Sequence, residues 1–390
     1  MGIVGVSFGM ARYGYGLLLP DVRQDYGLGP AVLGAIATGS YVAYLAATAL
    51  AGAFASRLGA RRTAVTAGLL AVAGMLVAGL SRSTEVFVVG ILVAGASAGF
   101  AFAPFADAVR AVSTDARGRV LAAINCGTGY GVALAAPIAI LLGADWRSTW
   151  LAFALVALLA TLWAAHVLPR RAELAADGGS APYGWGAVLC RRALPLLAGG
   201  LLVGLGSSVY WTFSVEHLTD AGALASAASR TFLGIVGVAS VIATLTADLL
   251  VRIGPRRAFV ATIVAEAAAL VLLALVPTSL TAAIASAILF GSAYNATLAI
   301  EAIWSAHIFA DRPSLGISAV MASNGVGMLL GPLGAGLLAG RFGLAPVLMV
   351  GAALVAAAGL LAPRGPILPQ PEPGSGQRAE RTRCAPAPTC

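Results

Sequence analysis

The chain has 390 residues, of which 59% are hydrophobic and only 10% charged, with a net charge of +8. Soluble domains carry about 25% charged residues, so this composition excludes a water-coated globular protein and points to an integral membrane protein. All 24 basic residues are arginines, and nearly all are gathered in the loops between apolar runs or in the tail, a pattern of membrane topology and not of a nucleic-acid surface.

A helical span needs about 20 apolar residues. In chain order such windows fall near 2–20, 31–55, 63–81, 86–109, 120–143, 149–168, 193–214, 227–247, 258–277, 281–306, 316–340 and 344–362. The first window lacks a basic leader and a small-residue cleavage pattern, so it is expected to be a retained span. Eighteen arginines lie in loops on one side, five on the other, and Arg12 alone lies inside a span. The positive-inside rule then places both termini in the cytoplasm, and a bacterial inner (plasma) membrane is the expected location of this multi-pass chain. The longest connection, residues 169–192, has basic pairs at its ends and Gly, Ser and Pro between. It reads as a cytoplasmic linker between a bundle at 1–168 and a second at 193–363, and the Pro-rich tail at 364–390 is expected to be disordered. Cys126, Cys190, Cys384 and Cys390 have no metal-ligand spacing, so neither metal nor cofactor is expected.

The halves repeat. "SRLGARR" at 56–62 returns as "VRIGPRR" at 251–257, an offset of 195 residues; Pro137 returns as Pro332 at the same offset, and Asp107 as Glu301 at 194. Six-plus-six duplication implies an all-α membrane protein of twelve helices in two six-helix bundles related by a pseudo-two-fold axis, an arrangement used by alternating-access carriers. At these residues the chain resembles the major facilitator superfamily. The loop "GAFASRLGARR" supplies Gly52, Arg57, Gly59 and Arg61 of that family's motif, with Ser56 where the family carries Asp, and Arg252, Gly254 and Arg256 occupy the second copy. The resemblance implies that these loops latch the cytoplasmic side and that Pro137 and Pro332 lie in gating helices. "ARYGYGLLLP" is similar to the first span of the YbfB/YjiJ-like branch, which places Arg12 and Tyr15 in its pattern. It also implies that Arg12 faces the central cavity.

Arg12 stands about ten residues into its span, where a charge costs about 2.5–3.5 kcal/mol and demands a partner or a function. Three readings stay open: a fork for an anionic substrate, a partner for a cavity carboxylate that carries protons, and a structural ion pair. Glu301, with Asn295 and Tyr294 on deeper turns, is the first candidate carrier, Asp107 the second, and Glu266 a third on a span the family places at the periphery. Tyr210 and Trp211 are candidates to stack on a substrate near the outer mouth, whereas Glu216 and His217 read as an external loop. No nucleotide-binding, zinc-protease or nucleophile motif is present, so an enzyme is not expected. The expected function is proton-coupled export of a small organic solute by a monomeric secondary transporter. Its expected partners are that solute, protons and membrane lipids, with no nucleic acid. Uptake of an organic anion and a non-transporting sensor on the same fold are the alternatives.

Overall fold

The computed structural model describes residues 1–101, 114–168, 190–221, 226–309 and 313–364, with side chains described among these except at 52–58, 114–126, 226–229, 247 and 313–315. The described residues form helices joined by short turns and contain no strand. Helix α1 runs from Gly2–Val4 through a π-helical stretch, Gly5–Arg12, into Gly14–Tyr26. A continuous helical stretch, Pro30–Leu80, is broken at Gly59, giving α2 (Pro30–Ala51) and α3 (Gly59–Leu80). There follow α4 (Thr84–Ala101), α5 (Thr114–Leu142) and α6 (Trp146–Val167). In the second half, α7 is Leu194–Asp220, and α8 runs from Ser226–Ala239 through a 3-10 turn, Ser240–Leu245, into Thr246–Ile253. Then come α9 (Pro255–Leu275), α10 (Leu280–Ile308), α11 (Pro313–Phe342) and α12 (Leu344–Ala358).

Among the described residues, nine helices are long and apolar enough to cross a membrane. Helices α5 and α8 contribute shorter apolar runs, Gly127–Leu142 and Arg230–Leu245, and α1 is interrupted by its π stretch. Large apolar side chains such as Leu141, Leu159 and Trp163 face outward, as lipid contact requires. Inward faces are built from small residues that let backbones touch.

The pseudo-two-fold relation is written into the backbone. Gly59 and Gly254, 195 residues apart, share an extended conformation of positive φ (73° and 82°) with ψ near 160° (162° and 159°), a region open essentially only to glycine. The contacts between halves obey the same relation. Helix α2 packs on α11 and α5 on α8, two pairings that exchange when the halves are swapped, while α1 packs on its own counterpart α7. At each contact a glycine admits the neighbouring helix: a side chain at Gly34 would collide with the Pro332 carbonyl, one at Gly129 with the Ser240 hydroxyl and the Gly237 carbonyl, and one at Gly16 with the Trp211 carbonyl.

Candidate functional site

Arg12 closes the π-helical stretch of α1, where the Tyr13 N–H reaches back five residues to the Phe8 carbonyl at 3.0 Å. π turns inside α-helices are rare and frequently occur at functional sites. The stretch lies against α5 so closely that a side chain at Gly9 would run into the Gly131 main chain. Arg12 is 7% exposed. Its guanidinium carbon lies 4.1 Å from the Tyr44 ring centre and 4.2 Å from that of Tyr41, with Phe8 at 5.4 Å and Tyr13 at 5.8 Å. Desolvated cation–π contacts contribute about 2 kcal/mol or more each. Two close rings therefore offset much of the insertion cost of about 2.5–3.5 kcal/mol without any carboxylate.

Indeed no carboxylate lies within ion-pair distance of Arg12 among the described residues. Its Nη2 points to Met328 Sδ at 4.0 Å, a weak acceptor that also takes the Tyr294 hydroxyl at 3.7 Å. Its Nε–H has no acceptor, and neither has the indole N–H of the buried Trp211. Both residues line one small cavity of about 20 Å³ between the halves, with Tyr13, Tyr15, Tyr41 and Thr212. Tyr13 stacks on Trp211 at 4.0 Å. Tyr15 spends its hydroxyl on the Leu33 carbonyl at 2.9 Å.

Other candidates sit elsewhere. Tyr210 faces into the C-terminal bundle, stacked on Phe290 at 3.7 Å with its hydroxyl 2.9 Å from Ser286. Adjacent helical residues project about 100° apart, which is why Trp211 alone reaches the cavity. The Asn295 amide donates to the Gly291 carbonyl of its own helix at 3.3 Å. Glu301 is fully buried with neither oxygen hydrogen-bonded. Glu266 is fully buried too, facing α7, so the peripheral placement expected for its helix does not put this side chain in lipid. The Ser207 hydroxyl contacts both Glu266 Oε1 and the Val203 carbonyl. A hydroxyl has one proton to give, so both contacts are satisfied when Glu266 itself carries a proton and donates it to Ser207. Asp107 lies outside the described residues.

The expectation of an external loop at Glu216 and His217 is corrected: both lie inside α7, which continues to Asp220, and both are buried. Glu216 accepts from Arg23 Nη1 at 2.7 Å, and the same nitrogen reaches Asp220 at 2.6 Å. Nearby, Arg230 Nη2 bonds both oxygens of Asp21 at 3.0 and 2.9 Å, while Nη1 donates to the Ala139 carbonyl at 3.3 Å. A recess of about 550 Å³ surrounds these groups. These ion pairs tie α1 to α7 and α8 at the end of the molecule where α1 finishes. Within the first half, Arg147 holds Asp25 at 2.8 Å at that same end.

Of the loop residues, Gly59 and Gly254 form the matched breaks already described. Arg61 is half-buried, and Arg252 and Arg256 are exposed. The side chain of Arg57, and the surroundings of Gly52, lie outside the described residues. Both Pro137 and Pro332 interrupt long helices, Pro332 buried against α2 and Pro137 exposed. Sequence reasoning missed Tyr13, Tyr41, Tyr44 and Met328, which look like ordinary span residues. It also missed Asp21, Arg23 and Arg230, which counted only as topology charges; the acid and base at the tip of α1 were the available signal.

Comparison with known proteins agrees with this architecture. The nucleoside transporter NupG superposes with a TM-score of 0.73 at 15% identity, over 92% of this chain and 97% of that one. A bacterial homologue of the human lysosomal transporter Spinster, solved in an inward-facing and occupied conformation, gives 0.72 at 12%, over 92% and 93%. In sequence, the uncharacterized transporter YgaY of Escherichia coli, from strain K12 and from O157:H7, is 31% identical over 150 residues, 37% of this chain. That match spans 38% of the length of these relatives. The family described as uncharacterised MFS-type transporter YbfB matches residues 4–363, and with the helices of both halves inside that match, the chain belongs to this family of major facilitator membrane transporters.

Proposed function

We propose that this chain is a proton-coupled secondary transporter of a small organic solute, working by alternating access in a bacterial plasma membrane with both termini in the cytoplasm. The observation that carries it is the pairing of Arg12, a buried charge between the halves, with Glu266 and Glu301, buried acids within one half. Intramembrane ionisable groups of this kind mark substrate and proton pathways. The Ser207 contacts of Glu266 support a proton held there, and Glu301, with no hydrogen-bond partner, is the group proposed to load and release a proton during the cycle. The inter-half ion pairs close one end. By the arginine distribution that end faces outward, which leaves the cytoplasmic side for loading, the state from which an exporter starts.

A second reading, uptake of an organic anion with protons, is favoured by the lack of a carboxylate at Arg12 among the described residues. A negative-inside potential worth about 2.3 kcal/mol per charge per 100 mV expels anions unaided, so proton coupling serves an anion in the inward direction.

The test uses inside-out vesicles with an acid interior, challenged with organic cations, neutral compounds and organic anions. A compound that dissipates the gradient in wild type but moves without protons in Glu301→Gln supports the coupling. An unchanged pH dependence in Glu301→Gln removes Glu301 as carrier, and no gradient-linked flux of any class sinks the transporter reading.

A further inference from the structure

Resting on the transporter reading of the same site, we infer that the substrate is an organic anion with a planar aromatic body, its carboxylate held by Arg12 and Trp211.

The argument is one of complementarity. The small cavity between the halves is lined by Arg12, Trp211, tyrosines and small residues, with no acidic side chain among its lining. Arg12 and Trp211 each present a buried N–H with no acceptor. Neither group can accept a hydrogen bond, so what satisfies both must be rich in acceptors. On α11 a third unpaired donor, the buried amide nitrogen of Asn324, stands one turn before Met328, the residue that Arg12 touches. A hydroxyl or carbonyl of a neutral solute would satisfy one donor but leave the guanidinium charge without a counter-charge. A carboxylate supplies both, because the Nε and Nη edge of arginine matches its two oxygens. A protein group left unsatisfied in low dielectric is costly, which gives the bound anion its advantage.

The walls specify the remainder of the molecule. Tyr13 lies on Trp211 at 4.0 Å with the rings 20° from parallel, and Trp211 meets Phe290 and Tyr294 edge to face at 5.5 and 5.9 Å. Stacked and edge-to-face partners favour a flat ring over a branched chain. The cavity of about 20 Å³ in this conformation is smaller than the probe body, so binding requires Tyr13 and Trp211 to part. The two rings sit on α1 and α7, one in each half, and opening the central contact would separate them.

The experiment measures equilibrium binding, with no gradient, to the full-length protein in lipid nanodiscs. The probes are indole-3-carboxylate, its neutral isostere indole-3-carboxamide, and an indole-bearing amine. Wild type is expected to bind the carboxylate at least about tenfold more tightly than the amide. Arg12→Gln should abolish that preference. Trp211→Phe, which keeps an aromatic wall and removes the donor, should weaken the carboxylate by a larger factor than the amide and so narrow the preference; it serves as the test should Arg12→Gln fail to fold. Equal binding of carboxylate and amide, a preference that survives both substitutions, or no carboxylate binding up to its solubility would each overturn the inference. Flux distinguishes the two claims. Carboxylate binding without transport in proteoliposomes defeats the transporter reading alone, whereas proton-linked flux of amines without carboxylate binding defeats this inference alone.

Discussion

Among the described residues, Arg12 is balanced by rings and not by an opposite charge. A carboxylate partner would neutralise the guanidinium permanently and leave little attraction for a ligand, whereas tyrosine faces lower the cost of burying the charge and leave its Nε–H without an acceptor. Arg12→Ala is therefore expected to abolish solute flux while the protein still inserts and elutes as a monodisperse species; retained flux in reconstituted vesicles would remove Arg12 from the transport path. The charge itself was legible in the sequence, because an arginine within an apolar window stands out. Its cage was not, since Tyr41 and Tyr44 are unremarkable in an apolar helix until packing turns both rings onto one guanidinium. Likewise the sequence offered Tyr210 and Trp211 together, and only helix rotation separates the bundle residue from the cavity residue.

At the scale of elements, the matched breaks between α2 and α3 and between α8 and α9 depend on glycine. A residue with a Cβ held at these dihedral angles costs about 1–3 kcal/mol. Space is not the obstacle, as nothing lies within 4 Å of a Cβ at either position. Gly254→Ala and Gly59→Ala should each lower the apparent melting temperature in detergent, and because the cause is backbone strain, any larger residue should behave like Ala. An unchanged melting temperature in both would mean that the breaks relax without cost. These two elements were legible as a repeated motif, and the structure adds the reason for the repetition. The end of α7 was misread because Glu216, His217 and Asp220 look like a polar loop. Their helix persists because Arg23 supplies the counter-charge for the two acids and the Leu273 carbonyl accepts from His217 Nε2 at 3.1 Å.

For the whole molecule, the closed end is a matter of five acidic and basic groups bridging the halves: Arg23 with Glu216 and Asp220, and Arg230 with Asp21. Arg230–Asp21 is the most buried of these pairs, at 3% and 15% side-chain exposure. Removing one partner of such a pair leaves an uncompensated buried charge. Arg230→Ala is expected to shift the population toward the state open at that end, seen as a longer distance between spin labels on the tips of α1 and α8. An unaltered distance distribution would show that helix packing alone keeps the end shut. The all-helical membrane plan and its duplication were readable from periodicity and offset, because those are properties of each half by itself; of the twelve windows, nine are helices long and apolar enough to cross a membrane among the described residues. Which helix of one half meets which of the other was not, because glycine contacts such as Gly34 with Pro332 involve residues about 300 apart in sequence and carry no local signal.

The π turn in α1 has a geometric consequence for how the first helix serves two neighbours. Within the π stretch, Gly5 and Gly9 present their face to α5; after it, Gly16 presents its face to the Trp211 carbonyl of α7 in the opposite half. A helix of unbroken pitch advances about 100° per residue, so shortening the wide turn by one residue would rotate one of these faces away by that angle. The extra residue thus acts as a phase correction, setting the part of α1 that belongs to its own bundle in register with the part that faces across the molecular axis, and Arg12 sits at the joint between the two.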